Sequence, residues 1–121
     1  MATILVVDDS LTELHVLKGL LEKNGYSVQT AEDGAQGIEA AKEHQPDLIL
    51  MDVVMPVLNG FQATRQLHRD PATADIPVIM VTTKDQETDR SWGLRQGAVD
   101  YVVKQVDAKA LLSKIKSALG S

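Results

Sequence analysis

The chain has 121 residues, about one ordinary domain, and can bury a core without a covalent staple. It has no cysteine, which excludes disulfides and thiolate metal sites, and no apolar run approaches the ~18 residues of a membrane span. A formal net charge of −5 disfavours nucleic-acid binding through a basic face, and the opening MATILVV lacks the regions of a signal peptide, so a cytoplasmic protein is expected.

The first apolar run, ILVV at residues 4–7, leads straight into Asp8 and Asp9. Two carboxylates ~4 Å apart repel by roughly 4 kcal/mol at an effective dielectric near 20. Such a pair needs open water or something that offsets its charge. Ser10, with Glu13 three residues on, matches a capping box, and Leu14, Leu17 and Leu21 share one helical face. Asn24-Gly25 stops that helix. A weaker strand, SVQTA, surrounds Val28. The second helix runs from about Asp33, with Ile38 and Ala41 inward, and must end before Pro46.

The third strand, LILM at 48–51, ends in Asp52. A helix after Asn59-Gly60 carries Phe61 and Leu67. The fourth strand, residues 78–81, leads into Thr82 and Thr83. The fourth helix covers about Gln86 to Arg95, ends near Gly97, and has few apolar residues. The fifth strand, residues 101–103, ends in Lys104, and the last helix places Leu111, Ile115 and Leu119 at i, i+4, i+8, with Leu112 alongside.

Strand and helix therefore alternate five times. The continuous apolar runs suit parallel strands buried on both faces, and right-handed crossovers put helices on both sides. The second and fifth runs are weakest and suit the edges, giving strand order 2-1-3-4-5. In such α/β sheets ligands sit at the carboxyl ends of the strands. Asp8, Asp9, Asp52, Thr82 and Lys104 all stand there. Alone, an Asp after a strand is usually a turn former or cap, and a Lys there is usually solvated. Their joint occurrence at four strand ends points to a site. Three acids make a hard-oxygen set suited to Mg²⁺, Lys104 suits phosphate oxygens, and Asp52 suits a phosphoryl nucleophile.

VVDDS, LILMDVVMPVLNG, PVIMVTT and GAVDYVVK, in this order, resemble the receiver domain of two-component response regulators, chemotaxis-type, across essentially all of residues 1–121. The resemblance implies a single (βα)5 flavodoxin-like receiver domain with the same strand order. It implies that Asp52 accepts phosphate from a histidine kinase. Asp8, Asp9, Asp52 and the Val54 backbone carbonyl would hold Mg²⁺, and Thr82 and Lys104 would contact the phosphoryl group. Tyr101 would be the aromatic switch that turns inward when Thr82 moves. The fourth helix, fifth strand and fifth helix would form the output face for a downstream protein. The protein would be a phospho-acceptor switch rather than an enzyme, a monomer with dimerisation on phosphorylation left open. NGFQATRQL and VTTKDQETDRSWGLRQGA resemble regulators of type IV pilus twitching motility.

One departure stands out. The family usually has Lys-Pro where this chain has Lys104-Gln105. A cis bond before a non-proline costs ~2.5–4 kcal/mol, so a trans bond and a looser Lys104 are expected. Val54 cannot hydrogen-bond an attacking water, so slow self-dephosphorylation is expected. Trp92 is either core cover or an anchor in the output face. His15, His44 and His68 lie on separate helices and make no metal site.

Other readings fit less well. A haloacid-dehalogenase-like phosphatase needs a second acid two residues after its nucleophile, where Val54 stands. A nucleotide-binding domain needs a Gly-rich or Ser/Thr-rich loop where DDSLTE places carboxylates. A phosphate sink and a phosphate-independent interaction module remain as alternatives.

Overall fold

The computed structural model describes residues 1–120. The elements are β1 (Thr3–Val7), α1 (Leu11–Lys23), β2 (Ser27–Ala31), α2 (Gly34–His44), β3 (Leu48–Met51), α3 (Gly60–Arg69), β4 (Val78–Thr82), α4 (Glu87–Arg95), β5 (Asp100–Val103) and α5 (Ala108–Leu119). The strands form one parallel sheet in the order β2-β1-β3-β4-β5.

Alternating side chains of each strand serve two different cores, which explains the unbroken apolar runs. Leu5, Val7, Ile49, Met51, Met80 and Tyr101 pack with Ile38 of α2 and Leu67 of α3. Ile4, Val6, Leu48, Leu50, Ile79 and Val81 pack with Leu14, Leu17 and Leu21 of α1 and with Leu111 and Ile115 of α5. In α4 only Gly93 is buried, so its packing face is as thin as its composition suggests.

Local signals set the helix ends. Asn24 closes α1 and Gly25 follows at φ 91. The Ser10 hydroxyl accepts the Glu13 N–H at 3.3 Å, the first half of the expected capping box. The Ser10 N–H is taken by Asp8 Oδ1 at 2.9 Å instead of by Glu13. A full reciprocal box forms at α3, where Asn59 and Gln62 exchange bonds of 2.9 and 3.1 Å.

The Lys104–Gln105 peptide is cis, which overturns the expected trans bond. Lys104 is also not loose. Its N–H donates to the Thr82 carbonyl at 2.8 Å and its ammonium lies 2.7 Å from Asp8. The expectation weighed the intrinsic trans preference of a non-proline peptide alone. Contacts of Lys104 on two sides set the local path.

Val57, in the loop after β3, has φ 69, a left-handed conformation that its branched Cβ disfavours. It is 84% exposed, so little packing offsets the strain. Val57→Asn is expected to stabilise the protein by roughly 1 kcal/mol, read as a higher urea midpoint. An unchanged or lower midpoint would locate no strain there.

Candidate functional site

The ends of β1, β3, β4 and β5 bring the site residues to one rim. Asp8 and Asp52 follow β1 and β3, which pair directly, with Val7 opposite Met51. The Asp52 N–H donates to the Val7 carbonyl at 3.0 Å, and the Asp8 N–H donates to the Ala31 carbonyl at 3.1 Å. Backbone bonding therefore carries the sheet past its last strand residues and presents the two carboxylates side by side. Asp8, Asp9 and Asp52 each offer an oxygen within 4.8 Å of the others. Asp8 and Asp52 are buried, and Asp9 is exposed.

Two sources of compensation answer the repulsion inside the cluster. Lys104 Nζ lies 2.7 Å from Asp8 Oδ2 and 3.6 Å from Asp52 Oδ2. Backbone N–H groups hold the other oxygens, Ser10 on Asp8 Oδ1 at 2.9 Å and Val53 on Asp52 Oδ1 at 2.7 Å. Compensation is incomplete. Burial first, and then the Asp8 charge, raise the Asp52 pKa above the usual carboxylate value, against the opposing pull of Lys104, the Thr82 hydroxyl and the Val53 N–H. For Lys104, burial works against the charged form, but the hydrogen bond to Asp8 and the charges of Asp52, Asp8 and Glu13 outweigh it and raise its pKa.

A carboxylate whose folded pKa lies above its unfolded pKa destabilises the fold when ionised. That cost is present at neutral pH and fades as pH falls through the folded pKa toward the unfolded value. In EDTA, Asp52→Asn is therefore expected to melt a few degrees higher than the unmodified chain at neutral pH. The gap should close as pH is lowered toward that of an ordinary carboxylate. Equal melting at every pH would mean that Lys104 balances the cluster fully.

Thr82 ends β4, fully buried. Its hydroxyl accepts the Lys84 N–H at 3.3 Å. The Lys84 carbonyl accepts the Tyr101 hydroxyl at 2.8 Å. The backbone of Lys84 thus links Thr82 to Tyr101, a role that its charged side chain hides in the sequence. Tyr101 already points inward, 2% exposed, with its hydroxyl pKa pushed up to about 12 by burial and by the charges of Asp89, Asp52 and Asp85. The Tyr101 carbonyl accepts the Arg90 guanidinium at 3.3 Å, tying α4 to β5. Val54 stands two residues beyond Asp52, its side chain 54% exposed.

Gly60 was legible only as a helix start. A Cβ there would lie 1.9 Å from the Asp52 carbonyl oxygen, so the first turn of α3 presses against the backbone that carries Asp52. Its N–H donates to the Val53 carbonyl at 2.9 Å.

The donor set fits a hard divalent cation: three carboxylates converge, with one face open through Asp9. What the rim brings together is three carboxylates, a buried threonine hydroxyl and a lysine ammonium.

Residues 4–116 match the family model described as the response regulator receiver domain. The chain is 58% identical to Protein PilH of Pseudomonas aeruginosa over 119 residues, 98% of each chain. It is 40% identical over 116 residues to response regulator PleD of Caulobacter vibrioides, covering 96% of this chain and 26% of that one. The chemotaxis protein CheY4 of Vibrio cholerae superposes with a TM-score of 0.91 at 30% identity, covering 98% of both chains. The receiver domain of a sensor histidine kinase from Pseudomonas aeruginosa, solved with a magnesium ion coordinated in its active site cleft, superposes with a TM-score of 0.91 at 32% identity, covering 99% of this chain and 98% of that one.

Proposed function

The chain belongs to the response regulator receiver domain family, and from that premise we propose that it is a single-domain switch, residues 1–121, phosphorylated on Asp52. The carrying observation is the rim itself, where Asp8, Asp9 and Asp52 converge beside the largely buried side chain of Lys104.

The Val53 N–H holds Asp52 Oδ1, leaving Oδ2 toward Lys104 as the attacking oxygen. Oδ2 forms the new O–P bond as the P–N bond to the kinase's phosphohistidine breaks, and the imidazole leaves with that electron pair. Asp8, Asp9, Asp52 and the Val54 backbone carbonyl are the residues that would hold Mg²⁺. Bound there, the cation would neutralise the acid cluster and the charge on the phosphoryl oxygens. Lys104 pairs with a phosphoryl oxygen from the other side. Thr82 donates its hydroxyl to the phosphoryl group, and its link through Lys84 carries the change to Tyr101.

The output face is α4, β5 and α5. It carries exposed Val99 and Val103, and Lys114 ties α5 to Asp100 of β5 at 3.0 Å. A downstream protein reads that face. No part of the reaction turns over a separate substrate, so the protein is a phospho-acceptor and not an enzyme. The high identity to PilH favours the pilus role within the family. Among the described residues no helix is long and apolar enough to cross a membrane; the cytoplasmic site of action rests on the family reading alone.

The test is intact mass after incubation with acetyl phosphate and Mg²⁺, with Asp52→Asn in parallel. A labile single-phosphate adduct is expected, absent in the variant and absent without the metal. An adduct that survives Asp52→Asn would place the acceptor elsewhere. No adduct, either here or with a histidine kinase as donor, would favour the phosphate-independent interaction module.

A further inference from the structure

We propose that the cleft between α3 and α4 is a docking groove for an acidic segment of a partner protein, apart from the face formed by α4, β5 and α5. Arg65, His68 and Arg69 stand at i, i+3, i+4 on one face of α3. Trp92, Arg95 and Gln96 have the same spacing along α4 and its cap. The two triplets face each other across one groove of about 270 Å³. The helices meet there because Gly97, at φ 115, lets the chain pass directly against the His68 ring, where a Cβ would lie 2.7 Å from the imidazole.

The chemistry of the groove is unlike that of the rest of the molecule. The chain carries a net charge of −5, yet three arginines and no acid line this cleft. Among the described residues none of the three guanidiniums makes an ion pair. The acid that follows α3, Asp70, is engaged by Lys42 at 3.4 Å. Basic residues at helix C-termini are favoured by the helix dipole, which accounts for Arg69 and Arg95 singly. It does not account for Arg65 in mid-helix, or for Trp92 left 47% exposed among them.

Tryptophan and arginine are the residues most enriched at energetic centres of protein interfaces. A planar guanidinium fork pairs bidentately with carboxylates, and unpaired forks in a row match a run of Asp or Glu. The open groove holds a side chain or two and cannot enclose most of a drug-sized ligand, which favours a protein segment over a nucleotide. Trp92 then supplies the flat apolar contact for one uncharged side chain of the segment.

Trp92 is the only tryptophan, so its fluorescence reports on the groove directly. The full isotope-labelled chain is titrated with a glutamate-rich synthetic peptide carrying one central leucine. A lysine-rich counterpart and ATP serve as comparison ligands. The expected result is saturable amide shifts confined to α3 and α4, with a matching change in Trp92 fluorescence. The paired substitution Arg65→Glu with Arg95→Glu should weaken the peptide at least ~tenfold while leaving Asp52 phosphorylation unchanged. If that pair lowers the melting point, Arg65→Gln with Arg95→Gln should weaken binding in the same direction. The proposal is overturned by no saturable shifts, by shifts centred on the α5 lysines, by undiminished binding in the variants, or by ATP displacing the peptide from the groove. Shifts that scale with self-association in sedimentation would also overturn it, by making the occupant a second copy of the chain.

Discussion

Replacing Lys104 by Met is expected to destabilise the metal-free protein by about 3 kcal/mol or more. The Lys104 side chain is 10% exposed, and its ammonium sits between two nearly buried carboxylates, 2.7 Å from Asp8 and 3.6 Å from Asp52. Without it Asp8 Oδ2 loses its hydrogen-bond partner, and the Ser10 and Val53 N–H groups alone are left to offset the facing charges of Asp8 and Asp52. Removing one partner of a buried pair costs far more than the pair itself contributes. Urea denaturation in EDTA and in excess Mg²⁺ separates the causes. Magnesium should restore part of the loss, because ligand binding to the folded state adds stability and supplies the missing positive charge.

The pH dependence has a definite sign. Lys104 has a raised pKa, so its contribution is complete below the ordinary lysine value and is lost as pH rises through the folded one. The deficit of Lys104→Met should therefore persist across the neutral range. It should shrink in acid, as the Asp52 carboxyl, whose pKa is raised by burial and by the Asp8 charge, takes up a proton. A deficit equal in EDTA, in Mg²⁺ and in acid would mean that Lys104 acts by packing rather than by charge.

Gly60→Ala is the second large effect. The added Cβ would lie 1.9 Å from the Asp52 carbonyl oxygen, 2.7 Å from its carbon and 2.9 Å from Val53 Cα. All three obstacles are backbone, so no rotamer change relieves them. Either α3 or the strand end must move, at a cost of about 3 kcal/mol or more. Any such shift also displaces Asp52. The variant should show a lower urea midpoint and, where it still folds, slower labelling by acetyl phosphate. Gly19→Ala is the internal control. Gly19 lies within α1 with nothing within 4 Å of its would-be Cβ, so alanine there should stabilise by about 1 kcal/mol. Similar behaviour of the two variants would deny that close approach matters at Gly60.

Much of this was legible beforehand. The alternation of continuous apolar runs with helical patterns gave the element order, and the weakness of SVQTA and of the last strand placed them at the edges, as observed. The convergence of Asp8, Asp9 and Asp52 follows from that order, because strands 1 and 3 must be neighbours. What was not legible depends on contacts between distant segments. The cis bond after Lys104 is not legible because a local backbone preference says nothing of the contact between the Lys104 ammonium and Asp8 across the sheet. The Lys84 backbone link was invisible because sequence displays side chains. At Ser10 only half of the capping box forms, since Asp8 competes with Glu13 for the Ser10 N–H. The α3–α4 groove needs two helix faces to be set opposite each other, and no single-helix pattern states that.

The thin seat of α4 has a thermodynamic consequence. A helix that buries one glycine has little apolar surface to lose when it shifts. Its opening free energy is then small beside that of α1, which buries three leucines. Work done at the carboxylate rim is spread over every element that resists it, and the softest one moves furthest. Tethered by Arg90 to β5 and seated on Tyr101 through Gly93, α4 is a low-stiffness lever coupled to a stiff sheet.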